Sequence, residues 1–264
     1  MEATMIKNIV MMALPIDDIA EMERWYYRDH SSEIARRYGP WLQRHESYAA
    51  LNAPEDARAY GFYNWRLTET YWREVPEPGP KGAYCFTPAP VWNPVAACAV
   101  PPQPTEDFLG WAGFATDRAC IRWYQIFRYP LGVRLQDGED WYLNIHAPEV
   151  MKQPGLRRFF SFKAVKPPVP LPGVWHPDGT PPANMLMVQW DRVTEMWYDS
   201  FAAWREAVIE SPPEYTPPEW ATDPFYPHAV ATFPFFKPGV DFVSTFLLER
   251  PTDEFLRDTR HYLP

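Results

Sequence analysis

Apolar residues along the chain follow the spacings of short strands and amphipathic helices, and the order of these elements repeats. In the first half, a buried apolar run predicts a strand and an apolar stripe predicts the helix after it, which ends at Gly39-Pro40. The stripe comprises Ile19, Met22, Tyr26, His30 and Ile34. The predicted elements are strands at 6–14, 41–51, 60–67 and 108–116, a helix at 15–38, and a short helix near Tyr71-Trp72.

The second half repeats this order. The predicted elements are strands at 122–129, 156–165, 185–190 and 240–248, a helix at 136–152 capped by Asp137, and a helix at 194–210. The order β-α-β-β-α-β, present twice, predicts an α+β protein of two ferredoxin-like modules, 1–118 and 119–264. We expect the bare faces of the two antiparallel sheets to pack on each other as an α/β barrel.

The repeat is also visible in the residues themselves. The segment from Glu23 to Ile34 recurs from Glu139 to Val150 at a constant offset, which aligns Trp25 with Trp141 and His30 with His146. Thr68-Glu69 and Thr194-Glu195 form a second echo, each flanked by tryptophans. Self-similarity of this kind predicts one module written twice, with a histidine on the first helix of each copy.

Three proline-rich stretches interrupt the pattern, at 76–104, 166–182 and 212–238. Because proline fixes φ and lacks an N–H donor, we expect ordered loops rather than additional strands. Loops of this length often serve as lids or binding loops, although they also serve to cover sheet edges.

Composition narrows the class of function. The chain has 264 residues, a net charge of −9 and a pI of about 5.2, which argues against a nucleic-acid partner. No apolar run is long enough to span a membrane and no signal peptide is evident. The three cysteines, Cys85, Cys98 and Cys120, lack zinc-like spacing, so we expect a reducing, cytoplasmic location. Aromatic residues reach 17%, so they either line a cavity for a flat apolar ligand or pack under the loops.

The segment Trp141-Tyr142-Leu143-Asn144-Ile145-His146-Ala147-Pro148, followed by Pro154-Gly155-Leu156, resembles the EthD family of dimeric α/β-barrel proteins. The first copy matches more loosely, since Ser31-Ser32 stands where the family has Ala-Pro. The resemblance implies a barrel formed within the tandem chain or by a homodimer. It also implies chemistry that uses His, Tyr or Asp between sheet and helices, with no metal or organic cofactor. It leaves open which reaction is catalysed.

The candidate catalytic residues follow from the histidines. His30 and His146 lie on inward helical faces, where an imidazole can move a proton or can simply pin the helix. Alternation along the next strand places His45 with Trp41, Gln43 and Ser47, and either face of that strand could meet the helices. The residue equivalent to His45 in the second copy is taken as Ser161. A His30–His45 pair makes the first copy the preferred site. Tyr26, Asp29 and Tyr63 are expected to support it, unless Asp29 is solvated and the tyrosines are core residues.

Several other residues are predicted to bind a substrate, and they are Trp25, Trp41, Tyr63, Trp65, Tyr142, Trp190 and His228. A metal at His30-x-x-Glu33 or His146-x-x-Glu149 is disfavoured because the two helices belong to separate modules. Haem is disfavoured further because no axial ligand stands out. The carboxylates Glu33 and Glu149 are instead expected to orient the histidines. Nucleotide-binding and serine-hydrolase motifs are absent from the sequence.

These features predict a cofactor-independent lyase or isomerase that transfers a proton on a small aromatic or polycyclic catabolite. Two alternatives remain: a non-catalytic protein that binds an aromatic ligand, and a polyketide-type cyclase. An enzyme requires His and a second acid or base to converge in the pocket, whereas a carrier requires only aromatic walls and an anchor.

Overall fold

Two five-stranded antiparallel sheets form the framework of the protein. The computed structural model describes residues 5–12, 16–62, 66–73, 94–110, 119–165, 189–221 and 241–257. The strands of the first half are β1 (Ile6–Met12), β2 (Leu42–Ala49), β3 (Arg66–Trp72), β4 (Pro94–Val100) and β5 (Glu106–Asp107). Those of the second half are β6 (Ile121–Phe127), β7 (Arg158–Lys163), β8 (Arg192–Tyr198), β9 (Phe242–Leu248) and β10 (Asp253–Arg257). With helices accompanying both sheets, the fold is α+β with two ferredoxin-like modules, as predicted.

The first helix of each half lies where the sequence pattern predicts it, whereas the helix predicted from Thr194 begins only at Phe201. Each of the three contains a π-helical turn. In the first half, α1 (Ile19–Trp25) and α2 (Ser31–Tyr38) flank the π segment Tyr26–His30. In the second half, α3 (Leu135–Trp141) and α4 (Ala147–Val150) flank the π segment Tyr142–His146. A further helix, α5 (Phe201–Arg205), continues into the π segment Glu206–Glu210, and short 3₁₀ turns occupy Ile16–Asp18, Gly39–Trp41 and Glu55–Tyr60. The prediction that Asp137 caps this helix is wrong, because α3 starts after Arg134 and Asp137 forms an ion pair with that arginine.

The third strands of both halves begin later in the chain than predicted, and the first of them overlaps its predicted range only at Arg66 and Leu67. Residues 66–72 and 192–198 are strands, whereas the sequence pattern predicts helical structure near Tyr71-Trp72 and from Thr194. The predicted strand at 185–190 lies mostly outside the described residues. Both third strands are central and nearly fully buried, so they lack the alternation of a half-exposed strand.

The fourth strand of the first sheet is β4, which lies within a stretch predicted to be a proline-rich loop. The predicted strand at 108–116 is not formed at Phe108–Gly110, and residues 111–118 lie outside the described residues. Strand β4 is at the edge of its sheet, where the missing N–H of Pro94 does not interrupt a central ladder. The remaining parts of the three proline-rich stretches lie mostly outside the described residues.

Each sheet is completed by a strand from the other half of the chain. The strand order is β10-β2-β3-β1-β4 in the first sheet and β5-β7-β8-β6-β9 in the second. The two exchanged strands share a sequence motif, since Pro104-Thr105-Glu106-Asp107-Phe108-Leu109 matches Pro251-Thr252-Asp253-Glu254-Phe255-Leu256. They also share anchoring hydrogen bonds, because the N–H groups of Thr105 and Thr252 donate to the carbonyls of Ser161 and Ser47. The exchange is therefore reciprocal.

The inner faces of the two sheets pack on each other. Ile9, Tyr48 and Leu67 of the first sheet share one apolar cluster with Tyr124 and Phe162 of the second. Two buried ion pairs lie in this layer, one within each sheet, with Lys7 Nζ 3.4 Å from a Glu69 oxygen and Arg122 Nη1 3.3 Å from a Glu195 oxygen. The registers of β1 with β3 and of β6 with β8 make Lys7 equivalent to Arg122 and Glu69 equivalent to Glu195. Within the described ranges, no helix has the length and apolar character needed to cross a bilayer.

Candidate functional site

A π-helical turn brings tryptophan and histidine together on the first helix of each half. Hydrogen bonds from i to i+5 place residues five apart above one another, so Trp25 meets His30 and Trp141 meets His146. The ring centroids are 4.7 Å apart in both pairs, and the planes are stacked at 28° and 24°. The sequence places a proline, Pro148, only in the second helix, yet both helices make the turn. Proline is therefore not its cause.

His45 lies under this helix on strand β2. Its side chain is fully buried, and its Nδ1 is hydrogen-bonded to Thr70 Oγ1 at 3.0 Å on the neighbouring strand β3. In the part of the chain that the structure describes, its Nε2 is buried without a hydrogen-bond partner. A buried polar atom left unpaired is costly, and such atoms are found at sites that bind a ligand or water. The predicted alternation of β2 is confirmed for His45 and Ser47, which both lie on the helix side.

Burial sets the charge of both first-half histidines. Loss of solvent and, to a smaller extent, the charge of the neighbouring His30 lower the pKa of His45 from 6.5 to about 3. Loss of solvent also lowers the pKa of His30, to about 4, against a smaller upward effect of Glu33. His30 is only partly buried, so it links the fully buried His45 to the surface. Both imidazoles are therefore neutral near pH 7, and each can accept a proton.

Tyr26 packs against His30, with ring centroids 5.7 Å apart. It is fully buried, and its hydroxyl lies 2.8 Å from Thr68 Oγ1. Burial raises its pKa despite the hydroxyl neighbours and Arg66, whose guanidinium lies 4.8 Å from the Tyr26 ring centroid. Tyr26 therefore remains a protonated, neutral group at physiological pH.

Arg66 holds the elements of the first-half site together. It forms a bidentate pair with Glu23 of the helix, donates to Ser47 of β2, and reaches Asp253 of the exchanged strand β10 at 3.2 Å. The guanidinium is 4% exposed and offers a planar set of donors, which suits it to several carboxylates at once. One buried side chain thus fixes the helix, the sheet and the exchanged strand.

The second half repeats this network with equivalent residues. Arg192 forms a bidentate pair with Glu139, donates to Ser161 at 2.8 Å, and reaches Glu106 of the exchanged strand β5 at 2.6 Å. The Tyr142 ring lies 4.7 Å from this guanidinium, and its hydroxyl is 3.1 Å from Ser161 Oγ. Conservation of the whole network between halves indicates that it is part of the scaffold.

The halves differ where the first half has its second histidine. Pairing along the sheets aligns His45 and Thr70 with Phe159 and Met196. The predicted equivalence of His45 with Ser161 is wrong, because Ser161 aligns with Ser47 in the ladder. An unanticipated irregularity between Leu42 and Arg44 shifts this register.

His146 is also enclosed differently from His30. It is fully buried, and Tyr215 lies across it with ring centroids 5.5 Å apart. Thr216 anchors this cover, since its carbonyl accepts from Trp141 Nε1 and its N–H donates to Glu149. Glu149 therefore holds the covering segment, in addition to any influence on the histidine. The predicted candidate His146 lies in a sealed, aromatic interior.

The remaining predicted residues are scattered. Asp29 pairs through both carboxylate oxygens with the exposed Arg28 on the helix surface. Trp41 lies in a turn and is 37% exposed, and Trp190 lies in the cluster between the sheets. Tyr63, Trp65 and His228 lie outside the described residues. The structure brings together Trp25, Tyr26, His30 and His45, and it places Tyr142 with His146 in the second half.

Sequence reasoning missed Thr70, Arg66 and Phe255. Phe255 comes from the exchanged strand β10, and its ring centroid lies 5.5 Å from that of His45. Arg66 and Arg192 precede the Thr-Glu echo by two residues in both halves, so extending that echo would have identified them. Among the described residues, no group of three or more His, Cys, Asp or Glu side chains gathers to hold a metal ion.

The comparisons with known proteins begin with a family model. Residues 4–82 match the model of the chalcone isomerase N-terminal domain. This range covers less than a third of the chain and contains His30, His45 and Thr70. A comparison with curated protein sequences found no match.

Solved structures resemble the chain over nearly its full length at low identity. An anthrone oxidase-like protein is 12% identical with a TM-score of 0.48, covering 96% of this chain and 94% of its own. A putative monooxygenase from Lactobacillus acidophilus NCFM is 12% identical with a TM-score of 0.33, covering 96% and 95%. A mutant chlorite dismutase from Candidatus Nitrospira defluvii is 8% identical with a TM-score of 0.41, covering 96% and 92%. Similarity at this level concerns the fold alone.

Proposed function

We propose that the protein is an isomerase acting on a small aromatic ketone of the chalcone type, at the helix–sheet site of its first half. The observation that carries this proposal is the buried His45, whose Nδ1 is held by Thr70 while Nε2 has no partner in the described part of the chain. The match to the chalcone isomerase N-terminal domain spans this site, which supports the same class of substrate.

An isomerisation of this type needs only acid–base chemistry. A chalcone with an ortho hydroxyl is a phenol joined to an α,β-unsaturated ketone. An imidazole takes the phenol proton, the phenolate oxygen forms a bond to the β carbon, and the C=C electrons move to the ketone as an enolate. The proton then returns from the imidazolium to the α carbon. No electrons or groups enter or leave, so two histidines and a hydroxyl donor suffice.

The electrostatics of the site suit this sequence of steps. His30 and His45 are neutral near pH 7, so either can begin as a base. Their low pKa values come mainly from loss of solvent, and a phenolate or enolate beside the ring would stabilise the imidazolium and raise its pKa. Tyr26 stays protonated because burial raises its pKa. Trp25 stacks on His30 and provides an apolar wall beside it.

The convergence of polar groups favours an enzyme over a carrier. A carrier needs an aromatic pocket and one anchor, whereas this site gathers His30, His45, Tyr26 and Thr70 around one helix and two strands. A lyase reaction on the same substrate class would begin with the same proton transfer, and it is the alternative within this proposal. Relationship to the EthD family and a role in aromatic catabolism remain predictions.

The proposal is tested by replacing His45 with the residue found in the second half. His45→Phe should fold, because Phe159 occupies the equivalent position, and it should lower kcat by roughly 10²–10⁴ through loss of an acid–base group. His30→Ala should have a comparable effect. Turnover is measured as the loss of the enone absorbance of an ortho-hydroxychalcone. In D₂O it is also measured as the incorporation of deuterium at the α carbon.

Asp29→Asn is the matched control, because Asp29 lies on the helix surface paired with Arg28. It should keep wild-type kcat and KM. Retention of turnover by a folded His45→Phe variant, within about twofold of wild type, would remove His45 from the mechanism.

A further inference from the structure

We infer that Phe255, on the strand exchanged from the second half, is the wall of the first-half site that contacts an aryl ring of the substrate and sets its specificity. This inference rests on the proposed function and adds a residue to it. Phe255 lies outside residues 4–82, the range that matches the chalcone isomerase N-terminal domain. With Phe255 included, the first-half site would contain residues from both halves of the chain.

The pairing of β10 with β2 determines the direction of the Phe255 side chain. Asp253 and Glu254 pair with Ser47 and Glu46 of β2, and Leu256 pairs with His45. The register shifts between Glu254 and Leu256, which leaves Phe255 as an additional residue in the ladder. Bulges of this kind re-aim a side chain and are common beside active sites.

The strand is anchored by side-chain and backbone hydrogen bonds just before this irregularity, and Leu256 and Arg257 pair with His45 and Arg44 after it. Asp253 accepts from Tyr27 at 2.7 Å and from Arg66 at 3.2 Å. Thr252 is bound twice to β2, through its N–H to Ser47 and through its hydroxyl to the N–H of Ala49. Phe255 therefore has a fixed position rather than that of a loose terminal residue.

The ring of Phe255 meets the groups assigned to catalysis. Its centroid lies 5.5 Å from His45 and 5.8 Å from both Tyr26 and Tyr27. Phe255 is partly exposed, while His45 and Tyr26 are fully buried. A ligand that reaches His45 from solvent would thus meet Phe255 and the partly exposed His30. The aromatic ring of Phe255 beside the His45 imidazole can pack against an aryl group of the substrate.

The equivalent residue in the second half has a different setting. Phe108 follows β5, and its N–H pairs with the carbonyl of Phe159 in a regular ladder. Its ring lies 4.6 Å from Phe159 and 6.3 Å from Tyr142. Phe108 thus packs against the residue that replaces His45. Phe108→Ala is therefore a matched control for Phe255→Ala, with the same loss of volume on an equivalent strand.

The experiment compares two enone substrates in the full chain. One is an ortho-hydroxychalcone, with two aryl rings, and the other carries a methyl group in place of the second ring. Phe255→Ala should raise KM for the two-ring compound roughly five- to tenfold, with kcat within about twofold, and leave the one-ring compound nearly unchanged. Phe255→Leu should fall between, and Phe108→Ala should leave both KM values at wild type.

Binding of the flavanone product, measured by quenching of tryptophan fluorescence, gives the same comparison without turnover. Equal effects of Phe255→Ala on the two substrates, or unchanged binding and KM, would overturn the role of Phe255 while leaving the proposed isomerase intact. If wild type binds the flavanone but turns over neither enone, the proposed isomerase fails, and weaker binding by Phe255→Ala alone still supports the aromatic wall. If wild type binds no aromatic ketone, both proposals fail.

Discussion

The two halves of the chain hold the same arginine, glutamate, serine and tyrosine in the same arrangement, but they surround different groups. In the first half this scaffold encloses His45 and Thr70 beside a partly exposed His30. In the second half the equivalent positions are Phe159 and Met196, and the helical histidine is fully buried beneath Tyr215. The same framework therefore supports a polar site with one partly exposed histidine in the first half and an apolar interior in the second.

This difference separates residues that hold the fold from residues that carry chemistry. The Arg66 and Arg192 networks occur in both halves, so they are explained by the packing of helix, sheet and exchanged strand. The pair of His45 and Thr70 occurs in the first half and is replaced by apolar residues in the second. Burying an imidazole without a full set of partners destabilises a fold, so its presence is better explained by function.

The largest expected effect tests the shared network. Arg192→Met should lower the free energy of unfolding by about 3–5 kcal/mol, because it leaves the carboxylate of Glu139 buried without its main partner. Arg66→Met should cost roughly half as much, because the carboxylates of Glu23 and Asp253 are more exposed and can be hydrated. Urea unfolding of both variants measures this, and equal losses would show that the two networks are energetically alike.

A transplant of the first-half pair into the second half is the next test. Phe159→His with Met196→Thr should destabilise the protein by about 2–4 kcal/mol, since it removes apolar volume and buries polar groups in a sealed interior. The reverse change, His45→Phe with Thr70→Met, should be neutral or stabilising. Thermal unfolding of the two double variants would contradict the comparison if the transplant proved as stable as wild type.

The dependence of stability on pH gives a smaller, graded effect. The pKa of His45 is about 3 in the folded chain against 6.5 ordinarily, so between these values the unfolded chain binds the additional proton. The contribution of neutral His45 to the free energy of unfolding is thus fully present above pH 6.5, and it is lost as the pH falls towards 3. This one group contributes roughly 1.4 kcal/mol per pH unit. His45→Phe should reduce the slope by that amount in urea unfolding from pH 6.5 to 4.5. If the dependence of the free energy of unfolding on pH were the same in His45→Phe and wild type, a group other than His45 would be responsible for it.

Part of this comparison was accessible from sequence. The offset that aligns Trp25 and His30 with Trp141 and His146 correctly predicted two equivalent helices, because amphipathic periodicity and identical residues agree there. The face of β2 that carries His45 and Ser47 was also predicted, by simple alternation.

Other features depend on tertiary pairing, which local pattern does not report. The irregularity between Leu42 and Arg44 accounts for one residue of the two-residue shift in the alignment of His45, so its true counterpart Phe159 emerged only from the ladder. Strands β3 and β8 carry buried Arg and Glu whose partners lie in other elements, so their sequences do not alternate as a half-exposed strand does. The two-residue strand β5 is too short for any periodicity, although its motif is repeated at β10.

The reciprocal exchange of edge strands has a consequence for how the protein is made. A nascent chain leaves the ribosome from its N-terminus, and His30 and His45 emerge long before Asp253 and Phe255. The first sheet therefore cannot gain its outermost strand, nor Arg66 its second carboxylate, until the segment that contains Asp253 has been translated. Completion of the first-half site therefore waits for a segment that is synthesised long after its own helix and strands.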